Sequence, residues 1–457
     1  MERLPDEILI LIFKQLSIEH WVVLEQVCIR WSDVLRAACW RTLNCITLSV
    51  LTRVRMVPTK HLPIKLGPDH TPHINTNLIG YLTERCSDRF LRKLVTGSKM
   101  LLDLDALALM FQAREFGAIE DMVLSEVQFA GDTASFPRTP SHRIQAINLH
   151  SLNLNNCFEE AYDRNDADHV MHTLLGCTPN LRRLALMYNT RLNGTFLVPV
   201  QCAKLSFLNI VMCRRIQCDL LAAALCDWTK LEELHLYSCY QLTDSLFDSM
   251  PESLKSLNIS YCDGFSAQGV KHYVETHGDH LETIRIAHFR HLDNSLLRTL
   301  CTNVKHQLHL LDCSQYYRAE AQSPYSTMSH THDISVGLVE IRHLANLTHL
   351  DLNKNDFLTD GAFRQITASC LRLAHLNISQ CHWLTADGFV SAAGLSQLRH
   401  LDVSGNDEID AGVMLRIGHG ALKLENVLCG RCGNFMYDDL PDVARLWPAP
   451  ETVFQFY

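Results

Sequence analysis

LTHLDLNKNDFLTDG (Leu347 to Gly361), LAHLNISQCHWLTADG (Leu373 to Gly388) and LRHLDVSGNDEIDAG (Leu398 to Gly412) are one sentence written three times. Working outward, LRRLALMYNTRL begins at Leu181, LSFLNIVMCRRI at Leu205, LEELHLYSCYQLTD at Leu231 and LKSLNISYCDGF at Leu254, with weaker copies at Leu281, Leu308 and Leu424. Starts are spaced by 23 to 27 residues, apart from a step of 39 between Leu308 and Leu347. The shared wording is L-x-x-L-x-L-x-x-N/C-x-L. In L-x-L the two apolar side chains point to the same side of a short strand, while the residues between them point to the other. A unit this short cannot hide its apolar face alone, so it must stack on its neighbours.

The pattern resembles the leucine-rich repeat. The expected fold class is therefore α/β, a leucine-rich-repeat solenoid in horseshoe form with roughly a dozen repeats. The N/C positions (Asn189, Cys213, Cys239, Cys262, Asn355, Cys381 and Asn406) fall where the strand turns toward the helix, and are expected to be buried. There Asn hydrogen-bonds neighbouring turns and Cys fills the same small site. The pair in CGRC is in register too, Cys429 at an L position and Cys432 at an N/C position, so packing explains it better than redox or zinc chemistry. Upstream the signal weakens to IEDMVLSEVQF from Ile119, IQAINLHSL from Ile144 and LNCITLSV from Leu43. VPTKHLPIKLGPDHTPH, 57–73, reads as a loop. YYRAEAQSPYSTMSHTHD, 316–333, reads as a surface insertion.

Composition limits the alternatives. The 457 residues are 47% apolar, too apolar for wholesale disorder. The net charge of −9 with dispersed Lys and Arg argues against nucleic acid as a partner. No window is long and apolar enough for a membrane span, and ILILIF, Ile8 to Phe13, lacks the flanks of an export signal, so no membrane partner is expected. The 18 cysteines then read as reduced thiols of a cytoplasmic or nuclear chain. Signatures such as H-E-x-x-H, G-x-S-x-G and the P-loop are absent, and neither catalysis, a cofactor nor a metal is expected.

Residues before the repeats form a separate unit. Leu4-Pro5-Asp6-Glu7 suits a helix start, with Pro in the first turn and acids at the positive end. Ile8, Leu9, Ile12, Phe13 and Leu16 form a helical stripe, widened by Ile10 and Leu11. A helix this apolar needs cover on most sides, more than some 40 residues can supply. It either caps the solenoid or meets a partner. LPDEILILIFKQLSIEHWVVLEQVCIRWSDVLRAACW, Leu4 to Trp40, resembles the F-box: Leu4-Pro5-Asp6-Glu7-Ile8, Phe13 with Leu16, Val27-Cys28-Ile29-Arg30-Trp31 and Trp40 stand in the family's order.

This resemblance implies a small all-α F-box at 1–42, the solenoid at 43–440 and a C-terminal cap or tail at 441–457. It implies that Leu4, Pro5, Ile8, Leu9, Ile12, Phe13, Leu16, Val27, Cys28 and Trp31 bind a Skp-type adaptor and, through it, a cullin. As an F-box/leucine-rich-repeat protein the chain is expected to be the non-catalytic receptor of a ubiquitin ligase, delivering a protein substrate for degradation. The alternative is a scaffold that recruits the adaptor but delivers nothing. Substrate is expected on the concave face, at His235, Tyr237, Arg285, His349, Asp351, His375, Asn377, His400 and Asp402. His349, His375 and His400 stand on successive strands; a polar patch explains them better than a metal site.

Overall fold

The computed structural model describes residues 4–48, 65–66, 71–86, 89–97, 99–131, 148–158, 166–197, 202–304, 306–315, 333–449 and 451–456. The insertion expected at 316–333 lies outside them except for Asp333, as does most of the loop expected at 57–73. Two compact units divide the chain, Met1–Leu231 and Glu232–Tyr457.

The first unit opens with three helices, α1 (Asp6–Lys14), α2 (Ile18–Leu24) and α3 (Ile29–Ala38). Pro5 is the N-cap of α1, with Asp6 and Glu7 in its first turn and Lys14 in its last, each on the end its charge favours. α1 packs on α3. Leu9 and Phe13 are fully buried there, and Phe13 meets Trp31 edge-on at 5.4 Å. Trp21 donates from its indole to the Phe13 carbonyl at 2.6 Å and lies 5.7 Å from Trp40. A small aromatic core thus closes the three helices on themselves.

Parallel strands follow: β1 (Cys45–Thr47), β4 (Lys93–Val95), β6 (Asp121–Ser125), β8 (Ser151–Asn155), β9 (Arg183–Met187) and β10 (Phe207–Asn209) pair in that order. A second sheet, β2 (Lys65–Leu66), β3 (Pro72–Ile74), β5 (Met100–Asp103) and β7 (Val127–Ala130), runs beside it, parallel except for the β2–β3 pair. Strands therefore stand within the stretch read as a loop. Two register readings also change. The repeat placed at Ile144 is set five residues later, as Leu149-x-x-Leu152-x-Leu154-x-x-Cys157, all four residues buried. A repeat unread in the sequence sits at Leu91-x-x-Leu94-x-Thr96, where a buried Thr replaces the third leucine.

Helix α4 (Thr76–Thr83) joins the N-terminal helices to the first strands. Glu25, the C-cap of α2, meets Arg85 at 2.9 Å with both side chains almost fully buried. The Tyr81 hydroxyl hydrogen-bonds Glu25 at 3.3 Å, and the Arg85 guanidinium lies 3.4 Å over the Tyr81 ring. Trp40 touches the same tyrosine at 6.3 Å.

The second unit is the regular one. Strands β11 (Glu233–His235), β12 (Ser256–Asn258), β13 (Thr283–Arg285), β14 (Leu310–Asp312), β15 (His349–Asp351), β16 (His375–Asn377), β17 (His400–Asp402), β18 (Asn426–Leu428) and β19 (Val453–Gln455) pair in parallel, each with the next. From β11 to β18 the middle residue is buried and its flankers half-buried, as L-x-L requires. β19 lies inside the segment read as a cap or tail; Trp447 and Phe454 pack at 4.9 Å just before and within it.

The N/C positions are buried as expected. Asn189 donates to the Leu154 carbonyl at 2.7 Å and accepts from the Cys157 and Phe158 amides. Asn406 donates to the Ile378 and Val403 carbonyls and accepts from the Cys381 amide. Where Cys stands instead, the thiol donates to the preceding repeat, Cys213 to Leu186, Cys262 to Leu236 and Cys381 to Leu352. Burial pushes each of these three thiols up to about 12. Cys429 and Cys432 sit in the same core, and Cys432 donates to the Val403 carbonyl at 3.4 Å.

Just before the N/C position the backbone is left-handed, at Tyr188, Met212, Ser238, Tyr261, His288, Lys354, Gln380 and Arg431 with φ of 53–60°. In the repeat from Leu398 that place is a glycine, Gly405, with φ 69°.

Candidate functional site

Two surfaces carry the chemistry, one in each unit. The first is the outer side of the N-terminal helices. Ile8 is 42% exposed, Leu11 61%, Ile12 38%, Val23 38%, Val27 57% and Ile29 82%. Three of the expected adaptor contacts, Ile8, Ile12 and Val27, belong to this set. Pro5 is exposed as well, and Leu4, Leu16 and Cys28 are half-buried. Leu9, Phe13 and Trp31 do not belong: they form the segment's own core, so no partner can reach them without unfolding it. Leu11, Val23 and Ile29 share the exposed strip, though the sequence reading does not name them as contacts. The helical period shows which residues share a face; it does not show which face α3 covers. Arg30 bridges to Asp6 at 2.6 Å across the start of α1, tying the exposed strip to α3.

The second surface is the open face of the second unit's sheet. There a recess of about 280 Å³ is lined by residues of β13 to β18. Seven of the nine expected substrate residues, Arg285, His349, Asp351, His375, Asn377, His400 and Asp402, line it, together with Asp312. His235 and Tyr237 lie off it, and the Tyr237 ring instead meets Tyr261 at 4.6 Å. Tyr261 in turn stacks on His288 at 3.8 Å.

Strand register builds the recess. His349, His375 and His400 are paired neighbours, and their rings stack at 4.0 Å and 4.2 Å, within 9° and 13° of parallel. A charge on the middle ring would lose hydration and face its neighbours, and this holds His375 down at about 4. His349 is lowered by burial and by Arg285. Asp312, Asp351, Asn377 and Asp402 form the adjacent column. Each accepts through Oδ1 from the backbone N–H two residues on, at 2.9–3.1 Å. The acids thus shape each strand's exit, a structural duty the sequence reading did not assign. Burial, with Asp312 nearby, raises Asp351 to about 6. Among the described residues no group of three or more His, Cys, Asp or Glu is placed to hold a metal ion, and no helix is long and apolar enough to cross a membrane.

Residues 1–46 match the F-box-like family model, and residues 343–362 match a leucine-rich-repeat model. The chain carries an F-box-like segment joined to leucine-rich repeats. No curated protein matches the sequence. Among solved structures it is similar to the complex of Rad7 and Elc1 in yeast, at 16% identity over 67% of this chain and 80% of that one, TM-score 0.47. It is also similar to an internalin (inlF) from Listeria monocytogenes, at 14% identity over 83% and 78%, TM-score 0.32. The repeat protein LegL7 from Legionella pneumophila gives 11% over 64% and 96%, TM-score 0.41. With TM-scores this low, the repeat assignment rests on the chain's own strand register and on the leucine-rich-repeat model at 343–362.

Proposed function

We propose that this protein is the substrate-recognition subunit of a Skp–cullin–F-box ubiquitin ligase. Its helical segment holds the Skp-type adaptor and, through it, the cullin; its repeats hold a client protein for ubiquitination and proteasomal degradation. The observation that supports this most is the apolar strip of Ile8, Leu11, Ile12, Val23, Val27 and Ile29, left uncovered on a segment whose own core is already closed. Burying a side chain of this kind is worth roughly 1.5–3 kcal/mol when fully exposed at the start. Association costs about 4–15 kcal/mol, so most of the strip must engage together.

The client is assigned to the recess of the second unit, through Arg285, His349, Asp351, His375, Asn377, His400 and Asp402, with His235 and Tyr237 outside the recess as further contacts on the same sheet. The contribution of the chain is position and effective concentration rather than bond chemistry. All eighteen cysteines stand as free thiols, which fits work in the cytoplasm or nucleus.

The test is co-purification of adaptor and cullin with the full chain and with an Ile8→Asp/Ile12→Asp variant. Both positions are outside the segment's core, so the variant keeps its helices by circular dichroism and loses both partners. A folded variant that still carries the adaptor sinks the docking reading. For the client half, proteins that accumulate on the folded Ile8→Asp/Ile12→Asp chain and fall on the intact chain are the expected result.

A further inference from the structure

The recess on the second unit has a chemistry narrower than a general protein surface, and resting on the client-binding reading above it names what enters. Its volume, about 280 Å³, lies just under the roughly 300–1,000 Å³ of small-molecule sites and suits a protein side chain. Along the strand-end column the order is Arg285, Asp312, Asp351, Asn377, Asp402, each the register partner of the next. Arg285 stands beside Asp312 and offsets it. Asp351 and Asp402 then flank Asn377, one strand spacing of about 4.8 Å to either side.

On the carboxylate side of the recess the hydrogen-bonding capacity left over is that of an acceptor. Asn377 spends Nδ2 on Asp351 Oδ2 and Oδ1 on the backbone and side chain of Ser379. Asp402 uses Oδ1 on the Ser404 amide, and among the described residues its Oδ2 receives no protein donor. The histidine row has fixed tautomers at its ends. Thr348 gives its hydroxyl proton to the His309 carbonyl, so the 2.9 Å contact to His349 must be donated by Nδ1–H, which leaves His349 Nε2 an acceptor. At the other end the Asn426 amide donates to His400 Nδ1 at 3.1 Å, which puts the His400 proton on Nε2 and leaves that nitrogen a donor. Between them His375 is uncharged at neutral pH. Two carboxylates astride a neutral amide, with Asp402 Oδ2 and His349 Nε2 open as acceptors beside an uncharged imidazole row, give this half-buried recess negative charge; what complements it is a flat cation with donors on several edges.

We propose that this recess binds an arginine side chain presented by the client, its guanidinium lying over Asn377 between Asp351 and Asp402. A guanidinium carries five N–H donors in a planar fork and can address both carboxylates, whereas an ammonium is a compact, strongly hydrated charge. The groups facing the guanidinium are Arg285 from β13, Asp312 from β14, His349 and Asp351 from β15, His375 from β16, and His400 and Asp402 from β17, with the paired Arg399 and Glu425 acting on His375 from outside the lining. Acidification adds positive charge or removes negative charge at each titrating group of this set. Affinity therefore falls as pH drops through about 6, where Asp351 takes up its proton.

The test uses the full chain with carbon-13-labelled histidine and three capped tripeptides, Gly-Arg-Gly, Gly-Lys-Gly and the neutral isostere Gly-citrulline-Gly, with magnesium chloride as a separate arm. Expected is a saturable shift of the His375 and His400 signals with the arginine peptide, and none with citrulline. Asp351→Asn/Asp402→Asn keeps both turn acceptors and should weaken arginine binding ten-fold or more. Equal response to citrulline, preference for lysine or magnesium, or no saturable shift with arginine overturns the proposal. Client capture that survives in the double variant shows the arginine assignment wrong while the receptor reading stands; loss of capture only when the repeats themselves are removed points the same way.

Discussion

Asn406 offers the sharpest check on how the repeats are held together. Its side chain is 1% exposed and makes three bonds: Nδ2 to the Ile378 carbonyl at 3.0 Å, Nδ2 to the Val403 carbonyl at 2.8 Å, and Oδ1 from the Cys381 amide at 2.7 Å. Two of the three cross from one repeat to the one before. At about 1 kcal/mol net for each bond, Asn406→Ala should cost about 3 kcal/mol. Asn406→Cys should cost about 1 kcal/mol, and the reason is visible in neighbouring repeats. Where the next repeat carries Cys, the thiol donates backward, as Cys381 does to Leu352, and the amide it leaves turns inward, as Asn355 N–H does to the Leu352 carbonyl at 3.1 Å. Asn406→Asp has no donor for either carbonyl and buries a charge, so it should be at least as harmful as Ala. Urea unfolding gives the ranking, and amide exchange at Cys381 gives the local effect: fast in Ala and Asp, protected in Cys. An alanine variant within about 0.5 kcal/mol of the parent, or a cysteine variant as unstable as alanine, would refute the account.

Glu25→Ala should destabilise the first unit by about 3–5 kcal/mol, since it strands a buried Arg85, while Glu25→Ala/Arg85→Ala should recover part of that loss; a thermal-melt double-mutant cycle measures the coupling. Asp351 has a raised folded pKa of about 6, so the fold prefers it protonated and its penalty is fully present above pH 6 and relieved as pH falls toward 4. Asp351→Asn loses the contact from Asn377 but also the buried charge, and should therefore gain about 1 kcal/mol at pH 7.5 and lose that advantage by pH 4.5, read from urea midpoints at the two pH values. Native alkylation with iodoacetamide should reach exposed Cys226 well before Cys429 and Cys432, whose thiols are buried and pushed up; peptide mapping over time checks it.

From Leu181 onward the solenoid could be read from the chain alone, because L-x-L is a direct statement of strand periodicity and Asn or Cys marks each turn. Earlier repeats hide for identifiable reasons. At Leu91 the third apolar position is Thr96, buried because its hydroxyl bonds the Gly97 carbonyl and accepts from the Ser125 amide. At Leu149 an apolar run just upstream, Ile144 to Leu149, mimics the motif and draws the register five residues early. The left-handed turn position has no signature at all, being filled by Tyr, Met, Ser, His, Lys, Gln and Arg as well as Gly; the bonds around it hold the backbone there, not residue preference. In the candidate sites, period predicted the histidine row and the acid column but not the recess. Closure depends on strand stacking, and it left His235 and Tyr237 outside while admitting Asp312. In the F-box-like segment, the sequence named an apolar helix, and only the packing of α1 on α3 divides core from surface.

The clasp of Glu25, Arg85, Tyr81 and Trp40 bears on what kind of joint the N-terminal helices make. A Gly/Ser tether would let the helices sweep a shell of positions and would supply proximity alone. A buried ion pair under an aromatic lid supplies direction as well: whatever grips the outer side of α1 is aligned with the first strands, in one attitude rather than a range. Loosening that joint should free the direction of the N-terminal helices against the first strands before it weakens anything held on the outer side of α1.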